Sequence, residues 1–446
     1  NDDAYSPCGQ SGRRPDRATL AYCQRAREAY HGVPILAGGV EASLRRIAHY
    51  DYWSDKVRRS ILLDAKADLL VYGMGERPLL EILSRMAAGE SIETLHDIRG
   101  TVYRLGARGV LRPWREGSET VTLPSYEEVR IDKRAFAEMT RAAHRESDPY
   151  GARRLVQHHG PEAVVVNPRS LPLDAAELDR IYGLPFTRRP HPSYGQARIP
   201  AFEVVKDSVQ IMRGCFGGCS FCSLSAHQGR IIQSRSERSV LAELHQLAEA
   251  QDFRGTISDL GGPTANMYRM NCTRPDIRAK CRRPSCLYPT ICRLLETDHE
   301  PIIRLMAAAR RVPGIRNVVV ASGVRMDLAQ RSERYIEELA LHHTGGLLKV
   351  APEHSHCDVL RLMHKPPIGV FDAFRRKFER AAAHSGRQLF LVPYFMAGHP
   401  GCDLHAMIDL ALFLKQHHLR PEQVQDFIPA PMDLATCMYH TGIDPL

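Results

Sequence analysis

The residues best suited to chemistry lie in RGCFGGCSFCSLSAHQGR, Arg213 to Arg230, where Cys215, Cys219 and Cys222 follow C-x-x-x-C-x-x-C spacing. Three thiolates this close suit a soft metal centre. An iron-sulfur cluster fits best, because three cysteines can hold three irons and leave a fourth open to a substrate. Two plainer readings compete. On a helix the same spacing, i, i+4 and i+7, would make one buried stripe of small thiols. Gly214, Gly217 and Gly218 oppose it, since each glycine inside a helix costs about 1 kcal/mol relative to alanine. In a loop they let the backbone wrap an inorganic core and turn N–H groups toward its sulfides. A zinc site would ordinarily draw four N or S ligands arranged as two pairs.

A second set, Cys272, Cys281, Cys286 and Cys292, stands in NCTRPDIRAKCRRPSCLYPTIC. The segment is rich in Pro and Arg and has too few apolar residues for a core, which is the composition of a metal-stapled subdomain. Its C-x8-C-x4-C-x5-C spacing matches no standard zinc motif, so an iron-sulfur cluster, a zinc ion and unliganded thiols all stay open. Cys8, Cys23, Cys357, Cys402 and Cys437 are isolated and read as buried or free thiols.

The first loop, with Phe221 immediately before its third cysteine, resembles the signature of the radical S-adenosylmethionine (SAM) enzymes. The wider match, CFGGCSFCSLSAHQGR with SRSERSV after it and DLGGPTANMYRMNC further on, is similar to the YgiQ-type proteins and runs through nearly the whole chain. The resemblance implies that Cys215, Cys219 and Cys222 bind a 4Fe-4S cluster whose open iron chelates the amino and carboxylate groups of SAM. Reduction, from a donor such as flavodoxin or ferredoxin, would then cleave SAM to methionine and a 5′-deoxyadenosyl radical.

The same resemblance assigns further positions. Gly261 and Gly262, in DLGGPT, fall where the superfamily's Gly-Gly-Glu backbone contacts the methionine amino group, with Pro263 in place of the acid. Ser322 and Arg325, in SGVRMD, fall where related enzymes bind the SAM ribose or carboxylate. Glu353, in VAPEHSHCDVLRLMHK, falls where a contact to SAM or to its neighbours is expected. The plainer roles are a turn for the glycines and a helix cap for the acid. No catalytic acid or base can be nominated.

These loops need a scaffold, and the hydrophobic pattern supplies one. Strand patterns at 207–212, 255–260, 317–322, 346–351, 388–395 and 423–428 alternate with helical patterns at about 239–250, 300–312, 331–343, 368–384 and 403–418. Six βα units resemble the partial, TIM-like (βα)6 barrel of radical SAM enzymes, with the chemistry on loops at the C-terminal strand ends. Upstream, a helix over 16–31, a strand over 33–40 and a strand, turn and helix in ADLLVYGMGERPLLEILSRMAAG predict a parallel-sheet, Rossmann-like module. It resembles the cobalamin-domain-like module ahead of many radical SAM cores, with its opening strand lost, because the chain starts at Asn1 without a methionine. The sequence contains no Asp-x-His-x-x-Gly, so no residue is a candidate cobalamin ligand and B12 is not expected.

The expected domains are 1–135 (Rossmann-like), 136–200 (a connector with a helix and a Pro-rich stretch) and 201–446 (the radical SAM core, with a Cys-rich insertion at about 266–298). The dense segment holding His49, Tyr50, Tyr52 and Trp53 reads as interface packing or a substrate surface.

At 446 residues, 43% hydrophobic and 25% charged, the composition is that of a globular protein. The apolar runs are too short for a membrane span. Most of the cysteines lie unevenly between residues 215 and 402, which favours a reducing, cytoplasmic setting over a disulfide framework. A formal charge of +9 permits contact with nucleic acid, although the Arg pairs are scattered and lack interleaved aromatics. The alternative to an enzyme is a non-catalytic iron-sulfur or zinc protein that binds RNA or senses redox state.

Overall fold

The computed structural model describes residues 2–114, 119–421 and 423–446. Two α/β modules follow one another, a Rossmann-like N-terminal module and a partial TIM-like barrel.

The N-terminal sheet has six strands in the order Leu36–Ala37, Leu69–Val71, Thr101–Leu105, Glu162–Val166, Arg154–His159 and Thr120–Thr122. The first pair is parallel, as the alternating pattern predicts, and so is the last. The three central pairings are antiparallel. For one of the three the reason is local. Only Gly160 and Pro161 separate two of these strands, and a parallel pair needs a crossover of a dozen or more residues. Gly160, with φ +63°, takes the left-handed conformation that this hairpin requires. Side chains then alternate between two cores. Val164 and Val166 face one with Phe136 and Cys437, whereas Ala163 and Val165 face the other with Ile82 and Ile92.

In the second module Ser208–Gln210 runs parallel to Asp259–Gly261, and Thr256–Ile257 runs parallel to Asn317–Val318. Leu347–Glu353, Phe390–Ala397 and Val424–Asp426 form a three-stranded parallel ladder. The helices Glu237–Ala248, Glu300–Ala309, Gly369–His384 and Leu404–Gln416 alternate with these strands. The inward faces of the first three pack on the strands through one large core that includes Leu244, Ile303 and Phe374.

The aromatic segment near residue 50 packs against the C-terminal helix Leu434–Thr441. Tyr50 stacks on His440 with centroids 4.6 Å apart, and Tyr52 meets Tyr439 edge-on at 6.0 Å. Among the described residues, no helix is long and apolar enough to cross a membrane.

Candidate functional site

After the first barrel strand the chain turns at Gly214 (φ +87°), where a Cβ would stand 2.2 Å from the Ile231 carbonyl oxygen. Glycine is required there by both conformation and space. Gly218 (φ +68°) is equally constrained, since a Cβ would lie 2.6 Å from that of Ser285. The segment between Gly214 and Ser220 is irregular rather than helical, so the helical-stripe reading of the cysteines fails.

Cys215, Cys219 and Cys222 line one cavity of about 360 Å³. Gly217 lies between the thiols, and a Cβ there would be 3.3 Å from Cys215 Sγ and 4.0 Å from Cys219 Sγ. The Gly217 N–H points at Cys215 Sγ over 3.4 Å. Among the described residues, these three sulfurs do not gather within 4.8 Å of one another. Thiolates on a single zinc at about 2.3 Å would sit about 3.8 Å apart. The donor set therefore fits a polynuclear iron-sulfur core better than one ion. Burial, and then the neighbouring Cys219, push the Cys215 thiol above its ordinary range. Without a metal to hold the thiolate, burial favours the protonated thiol.

The loop is braced on its far side by neutral histidines. His399 accepts from or donates to Ser220 Oγ at 3.2 Å, and its Nδ1 lies 2.9 Å from the Pro400 carbonyl oxygen. The carbonyl fixes a proton on Nδ1, so Nε2 accepts the serine O–H. Burial lowers this histidine to about 4. Phe221, whose position before the third cysteine drew attention in the sequence, lines the cavity and meets His399 edge-on at 6.0 Å. His364 Nδ1 lies 3.1 Å from the Gly218 carbonyl oxygen, with Tyr288 stacked on its ring.

Ser322, Arg325 and Glu353 line the same cavity as the three cysteines. Arg325 donates from Nη1 to Cys219 Sγ at 3.5 Å and grips Asp327 through Nε at 2.8 Å and Nη2 at 3.1 Å. Burial opposes its charge, yet Asp327 and then Cys219 outweigh burial and raise its pKa. Glu353 sits at a register shift in its strand with φ +70°, a conformation that bulky residues seldom adopt. Its carboxylate lies 3.6 Å from Lys365 Nζ, and both side chains are largely buried. Gly261 and Gly262 do not line the cavity themselves, although Pro263 and Thr264 do. A Cβ on Gly261 would stand 2.0 Å from Ser322 Oγ, and one on Gly262 would stand 2.9 Å from the Met212 carbonyl oxygen. Both glycines let neighbouring strand ends close up.

The sequence reading passed over Lys365, Lys349, Tyr394 and Thr264, all of which line the cavity. Lys365 carried a signal, as the last residue of the segment that holds Glu353. It missed Asp433 as well. Burial pushes that carboxyl up to about 8, and it accepts a hydrogen bond from Ser223 Oγ at 3.0 Å, next to Cys222.

Known proteins match the chain along its whole length. Residues 1–208 match the family model "Radical SAM N-terminal", residues 209–414 match "Radical SAM superfamily", and residues 422–446 match a domain of unknown function, DUF3362. A UPF0313 protein of Rhodopseudomonas palustris is 53% identical over all of this chain, which spans 68% of that relative. A UPF0313 protein of Geobacter sulfurreducens is 54% identical, with this chain spanning 73% of it. Among solved structures, the radical SAM methyltransferase TsrM of Kitasatospora setae, with cobalamin and a [4Fe-4S] cluster bound, superposes with a TM-score of 0.51. The match covers 93% of this chain and 61% of TsrM at 14% identity, a likeness of fold. None of these matches supports a non-catalytic RNA-binding or redox-sensing protein.

Proposed function

We propose, from the premise that this chain belongs to the UPF0313 family within the radical SAM superfamily, that it generates a carbon-centred radical from SAM in the cavity lined by Cys215, Cys219 and Cys222. The observation that carries this reading is one cavity lined by Cys215, Cys219 and Cys222 together with Ser322, Glu353 and Lys365. A 4Fe-4S cluster held by these thiolates supplies, when bound, the electron that cleaves SAM into methionine and a 5′-deoxyadenosyl radical, and a donor of the flavodoxin or ferredoxin kind replaces that electron.

The remaining work falls to the chain's own side chains. SAM presents an ammonium, a carboxylate and an adenosyl group. The Glu353 carboxylate matches the ammonium, and Lys365 or Lys349 matches the carboxylate. Pro263 and Thr264, beyond Gly261 and Gly262, line the cavity and would present their backbone to the methionine end. Ser322 offers a hydroxyl to polar groups of the cofactor, and Phe221 and Tyr394 offer apolar surface to its adenine. Arg325 keeps a positive charge on Cys219 and thereby steadies a thiolate ligand. With SAM and substrate bound, the cavity walls would hold the reacting carbon close to the cofactor.

The test is anaerobic reconstitution of the chain with iron and sulfide, followed by dithionite and SAM. Wild type forms 5′-deoxyadenosine and Cys219→Ala does not; equal product from the variant refutes the assignment.

A further inference from the structure

We propose that Cys272, Cys281, Cys286 and Cys292 form a second iron-sulfur site, holding a polynuclear cluster rather than one zinc ion. This goes beyond the radical chemistry above and does not depend on it.

The segment that carries these cysteines has almost no regular structure. Its one helix is the four-residue Pro275–Arg278, and its ends are closed by an isolated bridge between Cys272 and Leu295. Leu287 and Leu295 are the buried apolar side chains it contributes to the core. A loop of this length with so little apolar burial needs a cross-link to hold one conformation. The four cysteines supply the donors, because all four line a single cavity of about 280 Å³. Cys292 is folded back on Cys286, with its N–H donating to the Cys286 carbonyl oxygen at 2.8 Å.

The spacing of the sulfurs selects the occupant. Among the described residues, no three of these thiols lie within 4.8 Å of one another. Tetrahedral zinc would hold its four sulfurs about 3.8 Å apart. Sulfurs that do not gather so closely suit a core of several metal ions better than one. The walls agree with that. Phe216, Met270 and Leu295 exclude water, while Arg230, Arg278 and Arg283 bring positive charge to the same cavity. A four-thiolate cluster is anionic, and guanidinium groups at its edge offset the cost of burying that charge. Arg230 is held in place by Asp148 at 2.7 Å and by the Cys281 carbonyl oxygen at 2.7 Å.

The second site also touches the first loop. The Cys286 N–H donates to the carbonyl oxygen of Phe216, the residue after Cys215, at 3.1 Å, and Ser285 Oγ donates to Gly217 O at 2.6 Å.

The experiment counts metal in the whole chain. Wild type, the variant Cys215→Ala/Cys219→Ala/Cys222→Ala and the variant Cys281→Ala/Cys286→Ala/Cys292→Ala are loaded anaerobically with ferrous iron and sulfide. After desalting, each is assayed for iron, zinc and acid-labile sulfide. Wild type is expected to retain about eight irons, and the first variant about four with matching sulfide. A first variant that is colourless and free of sulfide, or that carries zinc alone, overturns the proposal. The first variant decides the matter even where the second does not fold. Absence of SAM cleavage by wild type, with the first variant's iron intact, would count against the radical reading and leave this site standing.

Discussion

At the scale of single residues, Arg325 links the cluster loop to the cofactor wall. Its guanidinium contacts Cys219 Sγ and is fixed by both oxygens of Asp327. A buried positive charge beside a cluster ligand stabilises the reduced, more negative state. Arg325→Gln should therefore shift the midpoint potential of the site downward by on the order of 100 mV, from about 3 kcal/mol of lost Coulomb interaction at an effective dielectric near 20. An anaerobic redox titration followed by EPR measures this, and a potential equal to wild type would show that the charge acts elsewhere. The sequence could place Arg325 on the right loop by resemblance, but not its grip on Cys219, which lies 106 positions earlier. Lys365 is a similar case. Its pairing with Glu353 depends on a strand bulge that no local pattern announces.

At the scale of elements, the cysteine loop was legible because glycines mark it. Gly214 and Gly218 adopt positive φ, and their missing side chains leave room for Ile231 and Ser285. Gly214→Ala should cost about 2 kcal/mol or more of stability and sharply reduce iron retention, because backbone strain and a clash with a carbonyl oxygen act together. Thermal unfolding and iron content of the loaded protein check both effects. Barrel strands were legible for a different reason. A short β-branched run such as NVVVAS marks a strand, and the strand at Asn317–Val318 lies inside it, with Val318 and Val320 buried and Val319 half-buried. The N-terminal sheet was read less fully. Its alternating pattern captured the parallel pair Leu36–Ala37 and Leu69–Val71, yet the three central pairings are antiparallel, one of them through the Gly160-Pro161 hairpin.

At the scale of the whole molecule, the two modules meet around the cluster loop. Arg169 from the N-terminal module donates to the His227 carbonyl oxygen at 2.8 Å, and Arg213 pairs with Glu76. Asp148 holds Arg230. Stability of the assembly should fall in mild acid. Burial lowers His49 to about 3 and His144, His159 and His299 to about 4, all below the value near 6.5 of an unfolded chain. Between these limits the unfolded state binds more protons, so stability is lost as pH falls from about 6.5, by up to about 1.4 kcal/mol per pH unit for each group. Urea midpoints at pH 7 and pH 5 should differ accordingly. His159→Phe should flatten the dependence, since His159 stacks on Tyr126 and neither ring nitrogen has a partner. A midpoint independent of pH would mean that these rings take up protons in the native protein as readily as in the unfolded chain. The claim on which the rest depends is that three thiolates leave one iron vacant for SAM. Low-temperature EPR of the reduced, iron-loaded chain tests it most directly: the account predicts a 4Fe-4S signal that changes when SAM is added, and a signal that SAM leaves unaltered would contradict it.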